Sequence, residues 1–281
     1  MKKVEISEVS LPGLEGNPDL TARLWQPEES ARAWIILLHG QNDHSGRYSH
    51  AGQAFAEAGF AFLIPDFRGH GKSPGKRGHV LRFSEYIRDG EAAVRYAESQ
   101  QPRRLILGGH SLGGFVAACI AEEMPQEFAG VFVSSPFLRL NFALPGFQMF
   151  LVRIISRILP GLALDNHVKD EDLSHDPDMI QQKKEDPDNF GTISARAFVE
   201  ILDNQGNCIQ QAEKYKNPLL VLHGSSDQVT DPKASEEFYN NAGSRNKDFR
   251  LYDGFFHELL NETDRNQVIN DIIAWCQSLT E

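Results

Sequence analysis

Short runs of consecutive apolar residues alternate along this chain with longer stretches in which apolar positions recur every three or four residues. Residues 34–38, 60–64, 105–107, 131–133 and 219–222 are continuously apolar and bounded by glycine, histidine or serine, the pattern of strands buried on both faces. Residues 48–58, 83–100, 115–124, 232–239 and 264–279 have helical spacing, and Gly59 and Pro125 stop the first and third of these. Residues 249–252 read as a last strand. Near the start, residues 4–9 alternate apolar with polar and residues 20–25 do so less cleanly, with Pro12-Gly13 and Asn17-Pro18 between them, which predicts antiparallel edge strands. Strand and helix in strict alternation predict an α/β fold on a mostly parallel sheet.

From residue 137 to about 205 that rhythm breaks. Pro145-Gly146 and Pro160-Gly161 bracket a helix in which Phe147, Phe150, Leu151, Ile154, Ile155 and Ile158 recur at helical spacing. A polar, acidic stretch follows over 165–189, then another helix from residue 195. The expected organisation is a core of residues 1–136 and 206–281 with an insertion at 137–205, and an insertion too long for an ordinary loop usually covers an active site.

Composition narrows the picture little. A formal charge of −11 with no Lys/Arg cluster argues against a nucleic-acid partner. Cys119, Cys208 and Cys276 are odd in number and far apart, so they read as buried thiols. The first ten residues lack the apolar core of a signal peptide, and no charge-free run of eighteen apolar residues occurs, so the expectation is a cytoplasmic protein without a membrane span. The sequon Asn261-Glu262-Thr263 then carries no meaning. Oligomeric state is not legible.

The candidate chemistry centres on Gly109-His110-Ser111-Leu112-Gly113, which joins the apolar run at 105–107 to the helical stretch after Gly114. This is a Gly-x-Ser-x-Gly nucleophile elbow in a strand–turn–helix setting, where the helix N-terminus favours the negative charge of an attacking alkoxide. A serine needs a histidine base, and the histidine needs a carboxylate. In the α/β-hydrolase arrangement these follow in the order Ser, Asp/Glu, His on loops after strands, which Ser111, Asp227 and His257 supply. Of the ten histidines only His257 follows both the acid and the last strand; His110, beside the nucleophile, is expected to point elsewhere, and His39 and His223 end strands as His-Gly turns. For the acid, Asp231 before Pro232 also reads as a helix cap and Asp253-Gly254 as a turn, and Asp227 is preferred by its place at the end of a buried strand. The oxyanion would be held by the backbone N–H groups of Leu112 and of Gln41, after His39-Gly40, each contributing on the order of 3 kcal/mol to the transition state. The stretch Gly71-Lys72-Ser73 imitates the end of a phosphate-binding loop, but Asp66 stands where that motif needs its first glycine, so residues 65–73 read as structural.

Taken together, His39-Gly40, Ser45-Gly46-Arg47-Tyr48, residues 66–73, Gly109 to Gly113, Gly224-Ser225-Ser226-Asp227 and the late His257 resemble the monoacylglycerol lipase and lysophospholipase branch of the α/β-hydrolase fold. The resemblance implies an eight-stranded, mostly parallel sheet, the triad Ser111, Asp227 and His257, donors at Gln41 and Leu112, no metal or organic cofactor, and an insertion acting as a cap over an acyl tunnel. Phe142, Leu144, Phe147, Phe150 and Leu151 are the cap residues expected to hold an acyl chain, and the apolar cap face is expected to touch lipid surfaces. The implied reaction is hydrolysis of single-chain lipid esters. Lysophospholipids or short-chain esters as substrates, acyl transfer, and a non-catalytic receptor reusing the fold remain the alternatives. A dehalogenase or epoxide hydrolase would carry aspartate at position 111, and a hormone-sensitive-lipase-type esterase would carry further glycines after His39.

Overall fold

The computed structural model describes residues 3–14, 16–142 and 145–280. Its elements run β1 (Val4–Leu11), β2 (Leu20–Pro27), β3 (Ala33–Leu38), α1 (Ser49–Glu57), β4 (Phe60–Pro65), α2 (Ser84–Ser99), β5 (Leu105–His110), α3 (Leu112–Glu123) and β6 (Gly130–Ser134). Then follow α4 (Gly146–Ile158), β7 (Ala163–Asp165), α5 (Pro177–Glu185), β8 (Thr192–Ser194), α6 (Ala195–Gln210), β9 (Leu219–Gly224), α7 (Pro232–Asn241), β10 (Lys247–Tyr252) and α8 (Arg265–Ser278).

Eight strands form one sheet in the order β1-β2-β4-β3-β5-β6-β9-β10. The β1–β2 and β2–β4 pairs are antiparallel and the remaining neighbours are parallel. This is the mostly parallel sheet that the sequence pattern predicts and the α/β-hydrolase sheet that the resemblance implies. Successive side chains of a strand point to opposite faces, and each central strand therefore feeds two cores. On β3, Trp34, Ile36 and Leu38 join the core under α2, α3, α6 and α7, while Ala33, Ile35 and Leu37 join the core under α1 and α8. Burial on both faces explains why these strands read as unbroken apolar runs.

The segment between β6 and β9 adds three helices and the short antiparallel β7–β8 pair. The boundary expected at residue 205 falls inside α6, which continues to Gln210. Neither α5 nor the β7–β8 pair is foreseen by the sequence pattern. Helix α5 buries only Met179, so it has no apolar stripe to read. Its signal is Asp176-Pro177: the Asp176 carboxylate accepts from the Asp178 and Met179 N–H groups, with proline in the first turn.

Polar contacts pin the α5 side of this segment to the core. His44 Nε2 lies 2.9 Å from Asp186 Oδ2, Lys183 Nζ donates to the Asn42 carbonyl at 3.3 Å, and Arg265 pairs with Asp176 at 2.6 Å. Helix α4 is tied to α6 by Arg153 and Asp203, and it leaves Phe147 72%, Phe150 60% and Ile158 71% exposed. Among the described residues no helix is long and apolar enough to cross a membrane, and no group of three or more metal-ligating side chains occurs.

Candidate active site

The sharp turn after β5 is set by glycines on either side of Ser111. A Cβ on Gly109 would lie 2.1 Å from the Gly113 carbonyl oxygen, and one on Gly113 would lie 2.1 Å from the Leu38 carbonyl oxygen. Both would strike backbone, so only hydrogen fits. Ser111 itself takes φ 53° and ψ −119°, a conformation that costs roughly 1–3 kcal/mol and persists because its surroundings fix it. Its N–H donates to the Ser134 carbonyl, and its own carbonyl accepts from Phe115 and Phe137. The serine thus sits at the C-terminal edge of the sheet and at the N-terminus of α3, as the elbow pattern predicts.

Asp227 and His257 meet from the loops after β9 and β10. His257 Nδ1 is 2.7 Å from Asp227 Oδ2, and both residues are buried. Asp227 Oδ1 accepts from the Val229 and Thr230 N–H groups at 2.7 and 3.0 Å, and the Thr230 hydroxyl lies 2.9 Å from Oδ2. Burial alone would raise the Asp227 pKa, but His257 and His223 together hold it well below the usual carboxylate range. The competing carboxylates have other duties: Asp231 caps α7 through the Lys233 N–H, and Asp253 accepts from the Ser225 hydroxyl.

His39 has a role beyond ending a strand. The Phe67 N–H donates to its Nε2 at 3.0 Å, so the ring proton is on Nδ1, which donates to the Gly40 carbonyl at 2.7 Å. Burial lowers the His39 pKa and keeps the ring neutral. In a trans peptide the N–H points opposite to the C=O. Anchoring the Gly40 oxygen on His39 therefore turns the Gln41 N–H to the other side. Gly40 packs beside Ser111: a Cβ there would lie 3.2 Å from the serine Cβ.

His110 is a correction. It does not point elsewhere, because its ring lies 4.8 Å, centroid to centroid, from that of His257, and it lines the same cavity. Burial first, and His257 next, lower its pKa to about 4, so it packs against the candidate base as a neutral ring. His110 ends β5 opposite Ser134, directly before the turn that Ser111 begins.

Behind His257 the chain builds a buried charged network unforeseen in the sequence. Arg47 holds Glu258 through two parallel bonds of 2.9 and 2.6 Å and reaches Asp43 at 3.0 Å. Asp43 also accepts from the Tyr48 hydroxyl at 2.6 Å. Burial would raise the Glu258 pKa, and Arg47 overrides it and brings it down to about 2. The network joins the loop after β3 to the loop after β10. Asp66 accepts from the Ser45 and Lys72 N–H groups, so the stretch that imitates a phosphate loop is structural here.

Ser111, His257, Gly40, Gln41 and Leu112 all line one cavity of about 680 Å³. Its far wall comes from the inserted segment, where Phe142, Met149, Leu151, Val152, Ile155, Ile193, Phe198 and Ile201 are apolar. Phe142 and Leu151 are among its lining residues, and Leu144 lies outside the described residues. Phe147 and Phe150 are not: with Ile154 and Ile158 they form the outer face of α4 and do not line the cavity. Met149, Val152 and Ile155 share the inner face with Leu151, which the helical repeat alone could have shown had the direction of the core been known. The wall also has polar side chains, Asn42, Asp43, Lys183, Asn189 and Glu258.

Comparison with known proteins agrees with the fold. The family model described as serine aminopeptidase, S33, matches residues 29–264. A monoacylglycerol lipase of Mycolicibacterium smegmatis is 29% identical over 275 residues, covering 97% of each chain. The human monoglyceride lipase is 29% identical over 273 residues, covering 93% of this chain and 88% of its own. The crystal structure of the Paleococcus ferrophilus monoacylglycerol lipase superimposes with a TM-score of 0.83 at 30% identity, covering 98% of this chain and 99% of the other. By the span of the family match and the α/β-hydrolase sheet, the chain belongs to the serine aminopeptidase S33 family.

Proposed function

We propose that this protein is a serine esterase that hydrolyses single-chain lipid esters, with monoacylglycerols as the substrate class. The observation that carries the reading is the cavity: an elbow serine and a histidine–aspartate pair open into about 680 Å³ of space with one apolar wall, supplied by the inserted segment, and a polar part lined by Asn42, Asp43 and Glu258. An acyl chain suits the apolar part, where each buried methylene contributes about 0.8 kcal/mol. A polyhydroxy alcohol suits the polar part. The monoacylglycerol lipases compared above support this choice. An aminopeptidase activity is less well served, because a substrate ammonium group needs a carboxylate and the buried carboxylates of the wall, Asp43 and Glu258, are both paired with Arg47.

In the mechanism His257 takes the Ser111 hydroxyl proton as Ser111 Oγ attacks the ester carbonyl carbon. Asp227 keeps the imidazole in the Nδ1–H tautomer and stabilises the imidazolium. The oxyanion is received by the Gln41 and Leu112 N–H groups. Collapse passes the proton from His257 to the leaving alcohol, and water, activated by the same histidine, releases the acid from the acyl-enzyme.

The test is glycerol release from 1-monoacylglycerols of increasing chain length. Turnover is expected to peak at medium or long chains. A preference for acetate or butyrate esters would make the protein a general carboxylesterase and reduce the inserted segment to packing.

The same segment, as a cap over the cavity, offers its outer apolar face to a lipid surface. Phe147, Phe150 and Ile158 lie together on α4 with 72%, 60% and 71% exposure. Replacing Phe147 and Phe150 by serine is expected to weaken co-sedimentation with phosphatidylcholine vesicles about ten-fold or more, at unchanged turnover of a soluble butyrate ester. Equal vesicle binding by the variant would refute the surface contact.

A further inference from the structure

Asp227 is shared by two histidines. His223, the penultimate residue of β9, is fully buried, and its ring bridges two partners: Nε2 lies 3.0 Å from Asp227 Oδ2 and Nδ1 lies 2.7 Å from Ser235 Oγ on α7. A carboxylate held ionised only accepts, so Nε2 carries the ring proton and Nδ1 accepts from the Ser235 hydroxyl. The oxygen that receives His223 is the one that receives His257. A buried imidazole costs desolvation unless both nitrogens are bonded, and here both are.

We infer that His223 is a positioning residue of the hydrolytic site, donating to the Asp227 oxygen that faces His257 so as to fix the carboxylate's rotation and to temper the negative charge the base feels. The inference rests on the Ser111–His257–Asp227 reading above. Oδ1 is anchored independently by two backbone N–H groups, so rotation about the Asp227 side chain is limited at one end by the main chain and at the other by His223 and Thr230. The charge at Oδ2 is divided among three donors, of which only His257 has to strengthen its bond when it becomes an imidazolium. Removing the His223 donor leaves more of that charge for His257 and makes its protonated form easier to reach. The base would then be taken out of action at a higher pH than in the wild type. The other groups facing this pair are Thr230, Ser235 and His110, and Glu258 and Asp43 act by charge on His110. Of these only Ser235 changes, in the variant Ser235→Ala.

The experiment measures kcat and KM against pH on a soluble short-chain ester for the wild type, His223→Phe and His223→Gln, normalised to the fraction labelled by a fluorophosphonate. Phenylalanine keeps a planar ring, somewhat larger, and removes both bonds, whereas the glutamine amide can still donate from the Nε2 position. For His223→Phe the acid limb of kcat/KM is expected to move up by about one pH unit, with kcat about ten-fold lower and KM little changed. His223→Gln is expected to stay within about two-fold of wild type with its acid limb in place. Ser235→Ala, a smaller change, removes the bond that polarises the His223 ring and is expected to move the limb in the same direction by less. It keeps the question open to test if the phenylalanine variant does not fold. An unmoved acid limb in both His223→Phe and Ser235→Ala, or in Ser235→Ala alone where the former is insoluble, would overturn the inference while leaving the triad standing. Absence of serine-dependent turnover in the wild type would overturn both.

Discussion

Replacing Ser111 by alanine is expected to lower ester turnover by about a million-fold and to abolish fluorophosphonate labelling, with the fold unchanged. The size follows from what one oxygen does. In the proposed mechanism Ser111 Oγ is the atom that forms the acyl bond, and no other side chain on the elbow turn can replace it, since its neighbours there are Gly109, His110, Leu112 and Gly113. The fold should tolerate the change because alanine keeps the Cβ that packs against Gly40, and because the φ of 53° is imposed by the turn rather than by the hydroxyl. Initial rates on p-nitrophenyl esters, with mass spectrometry of the labelled protein, make the measurement. Hydrolysis surviving in a clean preparation would remove Ser111 as nucleophile. A wild type that neither labels nor turns over would instead favour a ligand-binding role for the cavity.

The parts of this fold that sequence makes legible are those with a strong local signature. Trp34 to Leu38 and Leu105 to Leu107 are buried on both faces, so their apolar runs announce central strands, and Gly109 and Gly113 announce the elbow because nothing larger fits between the backbones they touch. Chain order then selects His257 as the candidate base, and the place of Asp227 at the end of a buried strand makes it the preferred candidate acid. The rest of the site depends on contacts between residues far apart in the chain. Arg47 and Glu258, or His223 and Asp227 with His257, acquire their roles only when the loops after β3, β9 and β10 converge at one edge of the sheet. The inserted segment is the least legible part. Its helix α4 is apolar on two faces, one lining the cavity through Met149, Val152 and Ile155 and one exposed through Phe147 and Phe150, so its periodicity marks a helix without saying which side is in. Helix α5 lacks an apolar stripe altogether, and only its capping pair, Asp176-Pro177, betrays it.

Asp227→Asn is expected to lower turnover about ten-thousand-fold, by reversing the tautomer of His257 rather than by displacing it. All five groups around this carboxylate donate to it: the Val229 and Thr230 N–H groups, the Thr230 hydroxyl, and the rings of His223 and His257. An asparagine has one acceptor oxygen and adds an NH₂ group, which must face some of these donors. With its oxygen kept by the two backbone N–H groups, the NH₂ group falls on the histidine side. His257 relieves the clash by moving its proton from Nδ1 to Nε2, and in that tautomer Nε2 can no longer accept the serine proton. The same argument makes the variant less stable, since a buried donor left without an acceptor costs about 1–3 kcal/mol. Thermal melting should therefore fall by several degrees while the folded fraction at room temperature stays high, and the loss of kcat should far exceed any loss of folded protein. A variant that keeps turnover within about ten-fold of wild type would show that Asp227 does not orient the base, and would return attention to Asp231 and Asp253.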